Sequence, residues 1–285
     1  DEKNWTSDGN THTLKLSIEK EAHYIGKVVY RDKAGNPQEC EVDFALDKTA
    51  PTDLQISYKT SPLDTILSVG SIGFYDAPVE VTVSASDDVA PVCEFVITYG
   101  DEQKIVETVK KGDAGFSEGK TASATITINP QFRGKVSFTA INEAGLRAAS
   151  DQEKEPTIVV DNIAPNATVK YDNYEVENGS YYKTDRTATI QIAEENFFPE
   201  AMTEKRSDDT TYLKIAVTRV DDNGKETTTN YTDETLTFTK KGNVWEAELP
   251  FTENGDYTFV VDYMDFSNNY DGKESHYEAS FTIDK

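Results

Sequence analysis

The chain has 285 residues, of which only 36% are hydrophobic, and a formal net charge of −24 at pH 7. A chain this acidic repels phosphate backbones, which argues against nucleic-acid binding, and no apolar run approaches the roughly 18 residues of a membrane span, so we expect no membrane insertion. The length predicts about two domains, and the 15 Tyr and 13 Phe favour thin β-sandwiches with small cores.

Residues 1–50 have the pattern of the C-terminal half of a β domain. Alternating apolar and polar residues predict strands at 14–18, 24–32 and 40–46. Three strands with one apolar face do not easily stand alone. We therefore expect the side of Val28 and Tyr30 to be covered by the adjoining domain, a second copy or a crystal neighbour.

Residues 51–164 have the pattern of a complete domain. The predicted strands are 54–58, 79–84, 94–99, 105–109, 122–128, 136–140 and 157–160. Seven short strands with turns between them and no long helical period indicate an antiparallel sandwich.

Residues 165–285 repeat this plan. The predicted strands are 167–171, 188–192, 212–220, 227–231, 236–239, 244–249, 257–263 and 277–283. The run Asp222-Asn223-Gly224 predicts a hairpin turn, and Pro199 is placed to begin one helical turn.

A short stretch marks the end of each domain. Leu-Asp-Lys-Thr-Ala-Pro occupies 46–51, and Val-Asp-Asn-Ile-Ala-Pro occupies 160–165, with the Asp residues 161 − 47 = 114 positions apart. That spacing is the size of a small domain, and proline ends strand pairing. We therefore predict domain boundaries at 50/51 and 164/165.

The strand before each end stretch also recurs. Tyr-x-x-x-Val-x-Tyr-x-Asp begins at Tyr24 and again at Tyr257, while the middle copy begins with Gly134 and ends with Asn142. A tyrosine at the start of this strand is placed for a tyrosine corner. We expect one at Tyr24 and at Tyr257, whereas Gly134 breaks the pattern.

The succession Tyr-x-x-x-Val-x-Tyr-x-Asp-x-Ala-Gly-Asn at 24–36, then a strand, then Leu-Asp-Lys-Thr-Ala-Pro resembles the bacterial Ig-like repeats of large Gram-positive surface proteins. The resemblance covers nearly the whole chain, although the last copy has Ser267-Asn268-Asn269 in place of Ala-Gly-Asn. It implies an all-β fold of tandem Ig-like sandwiches in an elongated array, the first one partial, with neighbouring Ig-like domains in the parent chain. It also implies an extracellular setting at a Gram-positive cell surface or cell wall, and no catalytic residues.

Two functional hypotheses follow. The first is a non-enzymatic adhesin-type module that recognises a host glycoprotein, immunoglobulin or glycan, and the alternative is a structural stalk that displays a distal head domain. The three histidines lack the context of a catalytic or paired-His metal motif, so we expect no enzyme. The long segment 194–212 of the last domain favours binding.

Acidic clusters at the predicted junctions are the first candidate site. In a sandwich, the exit strand leaves at the end where the next domain presents its loops. This places Asp47 near Asp87, Asp88, Asn142 and Glu143, and Asp161 near Glu194, Glu195, Asn196, Asp265 and Asn268. Converging carboxylate and amide oxygens could hold calcium, which takes about six to eight oxygen ligands. The alternative is that these side chains are solvated loop residues.

Aromatic residues of the last domain are the second candidate site. The set comprises Tyr174, Tyr181, Tyr182, Phe197 and Phe198. Exposed together, they would suit sugar or protein recognition. The alternative is that they face the core, with Phe197 or Phe198 filling the top of the sandwich beneath the turn at Pro199.

Overall fold

The computed structural model describes residues 5–59, 67–69, 72–101, 103–174, 176 and 179–285. The fold is all-β, as predicted. The first 15 strands are β1 Trp5–Asp8, β2 Thr11–Leu14, β3 Ala22–Arg31, β4 Pro37–Leu46, β5 Thr52–Lys59, β6 Leu67–Val69, β7 Ile72–Tyr75, β8 Val79–Ser86, β9 Val92–Tyr99, β10 Ile105–Lys110, β11 Phe116–Ser117, β12 Thr121–Ile128, β13 Phe132–Gly134, β14 Val136–Asn142 and β15 Arg147–Ala149.

The remaining strands are β16 Thr157–Val160, β17 Asn166–Tyr171, β18 Tyr181–Tyr182, β19 Arg186–Ala193, β20 Leu213–Val220, β21 Glu226–Asn230, β22 Thr239–Lys241, β23 Val244–Phe251, β24 Gly255–Tyr263 and β25 His276–Ile283. Among the described residues, single 3-10 turns occur at Gln152–Lys154 and Pro199–Met202. The second is the helical turn predicted at Pro199.

The chain forms two compact units. Unit 1 comprises Asp1–Lys59, Glu80–Thr127 and Lys135–Glu155, and unit 2 comprises Thr60–Val79, Ile128–Gly134 and Pro156–Lys285. The boundaries at 50/51 and 164/165 stay a prediction.

Unit 1 contains a two-sheet sandwich and two hairpins. The sandwich sheets have the strand orders β10-β9-β14-β15 and β11-β12-β8-β5, and the hairpins are β1-β2 and β3-β4. Alternate residues of β8 and β9 point inward, and Phe95 lies 5.9 Å from both Phe116 and Phe138, ring centre to ring centre. Phe95 is completely buried, and burial of such a side chain contributes about 1.5–3 kcal/mol to folding.

Unit 2 contains a larger sandwich. Its facing sheets have the orders β17-β19-β23-β22 and β18-β25-β24-β20-β21, and a further sheet has the order β13-β16-β7-β6. Phe259, Val261 and Phe281 fill its core together with Ile190 and Ile192. Two strand pairs, β7 with β16 and β18 with β25, are parallel, which the sequence analysis did not predict.

Two strand predictions are wrong. The alternating run 14–18 is not a strand beyond Leu14, because β2 pairs with β1 across the turn at Gly9, and Leu16 is 74% exposed. Leu236 and Phe238 are buried, but neither lies in a strand. The Leu236 N–H donates to the Thr232 carbonyl at the end of a turn, and β22 begins only at Thr239. Several strands of two to four residues, β7 and β11 among them, escaped prediction because so short a run shows little alternation.

The apolar side of β3, which we expect the adjoining domain, a second copy or a crystal neighbour to cover, is not covered by the described residues of this chain, and cover by a second copy or a neighbour stays a prediction. Val28 is 55% exposed and Tyr30 is 62% exposed. The tyrosine corners are confirmed: the Tyr24 hydroxyl donates to the Lys20 carbonyl at 2.7 Å, and the Tyr257 hydroxyl donates to the Glu253 carbonyl at 2.8 Å.

Candidate cation site

Three strand ends in unit 2 bring three carboxyl groups together. Asp161 follows β16, Glu194 follows β19, and Asp265 lies two residues beyond β24. One carboxylate oxygen from each lies within 4.8 Å of the other two. The sequence analysis placed these three acids together, and the structure agrees.

The spacing suits a calcium ion. Three oxygens no more than 4.8 Å apart leave a point that is within roughly 2.8 Å of all three. Calcium–oxygen bonds are about 2.3–2.6 Å long, so a small inward movement of the side chains completes the geometry. Asp161 and Asp265 are each 3% exposed and Glu194 is 7% exposed.

Neutral amides hold the three acids. The Asn196 backbone N–H donates to Glu194 at 2.7 Å, and its side-chain amide donates to Asp161 at 2.9 Å. Asn269 donates to both oxygens of Asp265, at 2.8 and 2.9 Å. Within the part of the chain that the structure describes, no lysine, arginine or histidine forms an ion pair with any of the three acids.

Burial without a cationic partner disfavours the charged forms of Glu194 and Asp265. Desolvation raises the pKa of Glu194 to about 8, against the effect of the Asn196 N–H, and the charges of Asp161 and Asp265 add to the rise. Desolvation likewise raises the pKa of Asp265 to about 7, although Asn269 works in the opposite direction. A cation at the cluster would therefore compete with protons on Glu194 and Asp265 near neutral pH.

A cavity gives access to the cluster. Its volume is about 450 Å³, and its lining includes Gln131, Asp161, Glu194, Lys240 and Asn243. Water molecules or an ion can reach the carboxylates of Asp161 and Glu194 from this side, and waters would supply the ligands that three carboxylates do not.

The corresponding cluster in unit 1 is built differently. Asp47 follows β4, Asp87 follows β8, and Asn142 is the last residue of β14. The Asn142 side-chain amide donates to Asp47 at 2.8 Å and to Asp87 at 3.0 Å. Asp47 and Asp87, which the sequence places near each other, are joined through the side-chain amide of Asn142.

Four residues assigned to the clusters from sequence lie outside them. Glu143 is exposed and pairs with Lys111 at 3.1 Å. Asp88 is exposed and pairs with Lys120 at 3.0 Å, and Glu195 is exposed on the rim of the cavity. Asn268 occupies the left-handed turn position with φ 65°, so the adjacent Asn269 makes the contacts instead. Gln131, which donates to Asp161 at 3.1 Å, was missed because it comes from a loop 30 residues earlier with no motif.

The aromatic candidates do not form one exposed platform. Phe197 is 4% exposed and packs against Phe238, Trp245 and Tyr263, and Tyr182 is 7% exposed. The prediction of an exposed platform is therefore wrong for both, and Phe197 fills the top of the sandwich as the alternative held.

The other three aromatic candidates are more accessible. Phe198 is half-buried and stacks on Phe266, with the Arg133 guanidinium over its ring. Tyr174 is 64% exposed and Tyr181 is 50% exposed. Among the five aromatic candidates, Tyr174 and Tyr181 are the two that retain the exposure that recognition of a sugar or protein would need.

The comparisons with known proteins leave the site to be interpreted from its geometry. No protein-family model matches the chain, and no curated protein matches it. None of the helical segments among the described residues has the length and apolar character of a membrane span.

Proposed function

We propose that this chain is a non-enzymatic extracellular segment of a Gram-positive bacterial surface protein, and that Asp161, Glu194 and Asp265 bind one calcium ion that braces it. The observation that carries the proposal is the convergence of three buried carboxyl groups whose hydrogen-bond partners are neutral amides. A bound divalent cation removes the mutual repulsion of these groups and offsets their desolvation.

The ligand chemistry favours calcium over softer metals. The cluster offers only oxygen atoms, from carboxylates and nearby amides, and no histidine nitrogen or cysteine sulfur belongs to the group of residues found within ligand distance. Oxygen-only sites suit calcium and magnesium, and calcium tolerates irregular geometry better.

The position of the cluster suits a bracing role. Asp161 belongs to the predicted end of the middle domain, whereas Glu194 and Asp265 belong to the predicted last domain. A cation shared by all three would fix this predicted junction. A structural stalk in which cations hold successive domains is therefore the role that we favour.

An adhesin-type role remains the second candidate, because two tyrosines are available for recognition. Tyr174 is 64% exposed and Tyr181 is 50% exposed. If they recognise a host glycan or glycoprotein, the wild-type chain will bind on a glycan array or in a pull-down from host secretions. The double variant Tyr174→Ala/Tyr181→Ala will lose that binding while its circular dichroism spectrum stays unchanged. Absence of any binding by the wild type would leave the stalk role.

Thermal unfolding of chelator-treated protein tests the calcium proposal. Because the ion binds only the folded state, the melting temperature should rise with calcium chloride concentration. Asp161→Asn should remove this response. Glu195→Gln, which neutralises an exposed acid beside the cluster, is the matched control and should keep it. A wild-type melting temperature that is indifferent to millimolar calcium would contradict the proposal.

A further inference from the structure

The two acidic clusters occupy equivalent places in the repeat. Asp47 and Asp161 occupy the same position of the recurring end stretch. Asp87 and Glu194 each come directly after an eight-residue strand, β8 and β19 respectively. The third residue of each cluster lies at or just beyond the end of the recurring penultimate strand, β14 or β24. This residue differs chemically between the clusters, since Asn142 carries an amide and Asp265 carries a carboxyl group.

The local backbone at the third position is the same in both clusters. The Leu146 N–H donates to the Asn142 side-chain oxygen at 2.8 Å, and the Asn269 N–H donates to an Asp265 oxygen at 2.8 Å. Both side chains are buried, with Asn142 only 1% exposed. The bond from Leu146 also orients the Asn142 amide, because it places the oxygen toward the turn and the nitrogen toward the two carboxylates.

The Asn142 nitrogen therefore stands where a cation would have to stand. It lies 2.8 Å from one oxygen of Asp47 and 3.0 Å from one oxygen of Asp87, and it carries two hydrogens, one for each carboxylate. Each carboxylate also accepts backbone N–H groups from its own turn, with Thr49 donating to Asp47, and Val89 and Ala90 donating to Asp87. This cluster is satisfied without an ion.

We infer that Asn142 is a built-in replacement for the cation, so that the cluster at Asp47 and Asp87 excludes calcium while the cluster at Asp161, Glu194 and Asp265 binds it. The inference rests on the proposed function, since it concerns which of two equivalent clusters takes the ion. The residue at this one turn position, Asn or Asp, thereby sets whether a domain of this chain depends on calcium.

Reciprocal substitutions in the full chain test the inference, with calcium stoichiometry measured by equilibrium dialysis of chelator-treated protein against calcium chloride. The wild type should bind one ion and Asn142→Asp should bind two. Asp265→Asn should bind none and should no longer respond to calcium in thermal unfolding. Asp88→Asn, which changes an exposed acid next to Asp87, is the control and should bind one ion like the wild type.

The outcomes separate the two claims. A wild type that binds no calcium contradicts the proposed function itself. A wild type that binds one ion while a folded Asn142→Asp variant still binds only one overturns the inference and leaves the proposed function standing. Two ions on the wild type also overturn the inference, because Asn142 would then fail to exclude calcium.

A second pair of variants covers the case in which Asn142→Asp does not fold. Asp47→Asn removes a carboxylate from the amide-filled cluster, and Asp161→Asn removes one from the other. We expect Asp47→Asn to leave the calcium affinity within about twofold of wild type, whereas Asp161→Asn should weaken it at least tenfold. A tenfold weakening by Asp47→Asn would overturn the inference.

Discussion

The hairpin β3-β4 and the hairpin β24-β25 share one motif but have opposite surroundings. In both, the tyrosine that opens the strand lies opposite a phenylalanine, Tyr24 opposite Phe44 and Tyr257 opposite Phe281. Each pair is stacked with ring centres 5.4 Å apart. Yet Val28 is 55% exposed, whereas the equivalent Val261 is fully buried.

The comparison separates what a motif determines from what packing determines. The corner hydrogen bond, the cross-strand stack and the turn involve only residues of one hairpin and its approach, and they form in both copies. Burial of the apolar face depends on a second sheet, which in unit 2 includes β19 and β23. The local geometry of a repeat is therefore a poor guide to the stability of its core.

The largest expected effect comes from placing a charge at the equivalent valines. Val261→Asp buries an unpaired carboxylate in the core and should lower the free energy of unfolding by about 4 kcal/mol or more. Val28→Asp should change it by less than about 0.5 kcal/mol, because the side chain is mostly in solvent. Urea denaturation followed by far-UV circular dichroism, which reports the strands of both units, measures both. Equal losses from the two variants would show that the β3 face is covered in solution.

The second effect concerns Asp32 and Asp265, the equivalent acids of the two turns. Each accepts hydrogen bonds from the backbone and side chain of the asparagine four residues later, yet their pKa values shift in opposite directions. The hydrogen bond from the Asn36 side chain lowers the pKa of the exposed Asp32. The pKa of Asp265 rises to about 7 because burial outweighs the same two bonds from Asn269. Titration of the two carboxyl carbons by NMR, in chelator, should place Asp32 below 3.8 and Asp265 near 7. Similar values for both would contradict the burial of Asp265.

The raised pKa values also predict how stability depends on pH. Asp265 and Glu194 bind more protons in the folded than in the unfolded state between about pH 4 and 8, so in chelator the free energy of unfolding should fall as pH rises through that window. One pKa unit corresponds to about 1.4 kcal/mol, so the fall amounts to a few kcal/mol. Calcium should reduce the fall, since the ion favours the deprotonated acids. A flat profile in chelator would contradict this.

The smallest effect concerns the turn residue that departs from the motif. Asn268 stands where the other copies have Gly35 and Gly145, and all three have positive φ, at 65°, 90° and 81°. Asparagine tolerates this conformation and glycine adopts it freely. Asn268→Gly should therefore change the free energy of unfolding by less than about 1 kcal/mol, whereas Asn268→Val should cost more than that. Thermal unfolding distinguishes the two, and equal effects would exclude a left-handed residue here.

Much of the fold was predictable because its signals are local. Period-two alternation located the strands that are six or more residues long, including β19 and β24. The recurring end stretch located Asp47 and Asp161. The order of strands in a sandwich then predicts that Asp161, Glu194 and Asp265 lie together, as they do.

The rest depends on contacts that no local pattern records. The choice between Asn268 and Asn269 as the partner of Asp265 depends on a single positive φ, and Gln131 arrives from a distant loop. Whether Phe197 faces solvent or core depends on the 3-10 turn that follows it and on the side chains of two strands beneath. Tertiary packing decided each of these.

Isothermal titration calorimetry of chelator-treated wild-type chain with calcium chloride tests the central claim most directly. At pH 7.5 we expect one ion to bind per chain, with protons released as Glu194 and Asp265 lose them. The proton release should appear as a heat that changes between buffers of different ionisation enthalpy. The absence of any binding heat at millimolar calcium in both buffers would show that the three buried acids do not form a cation site.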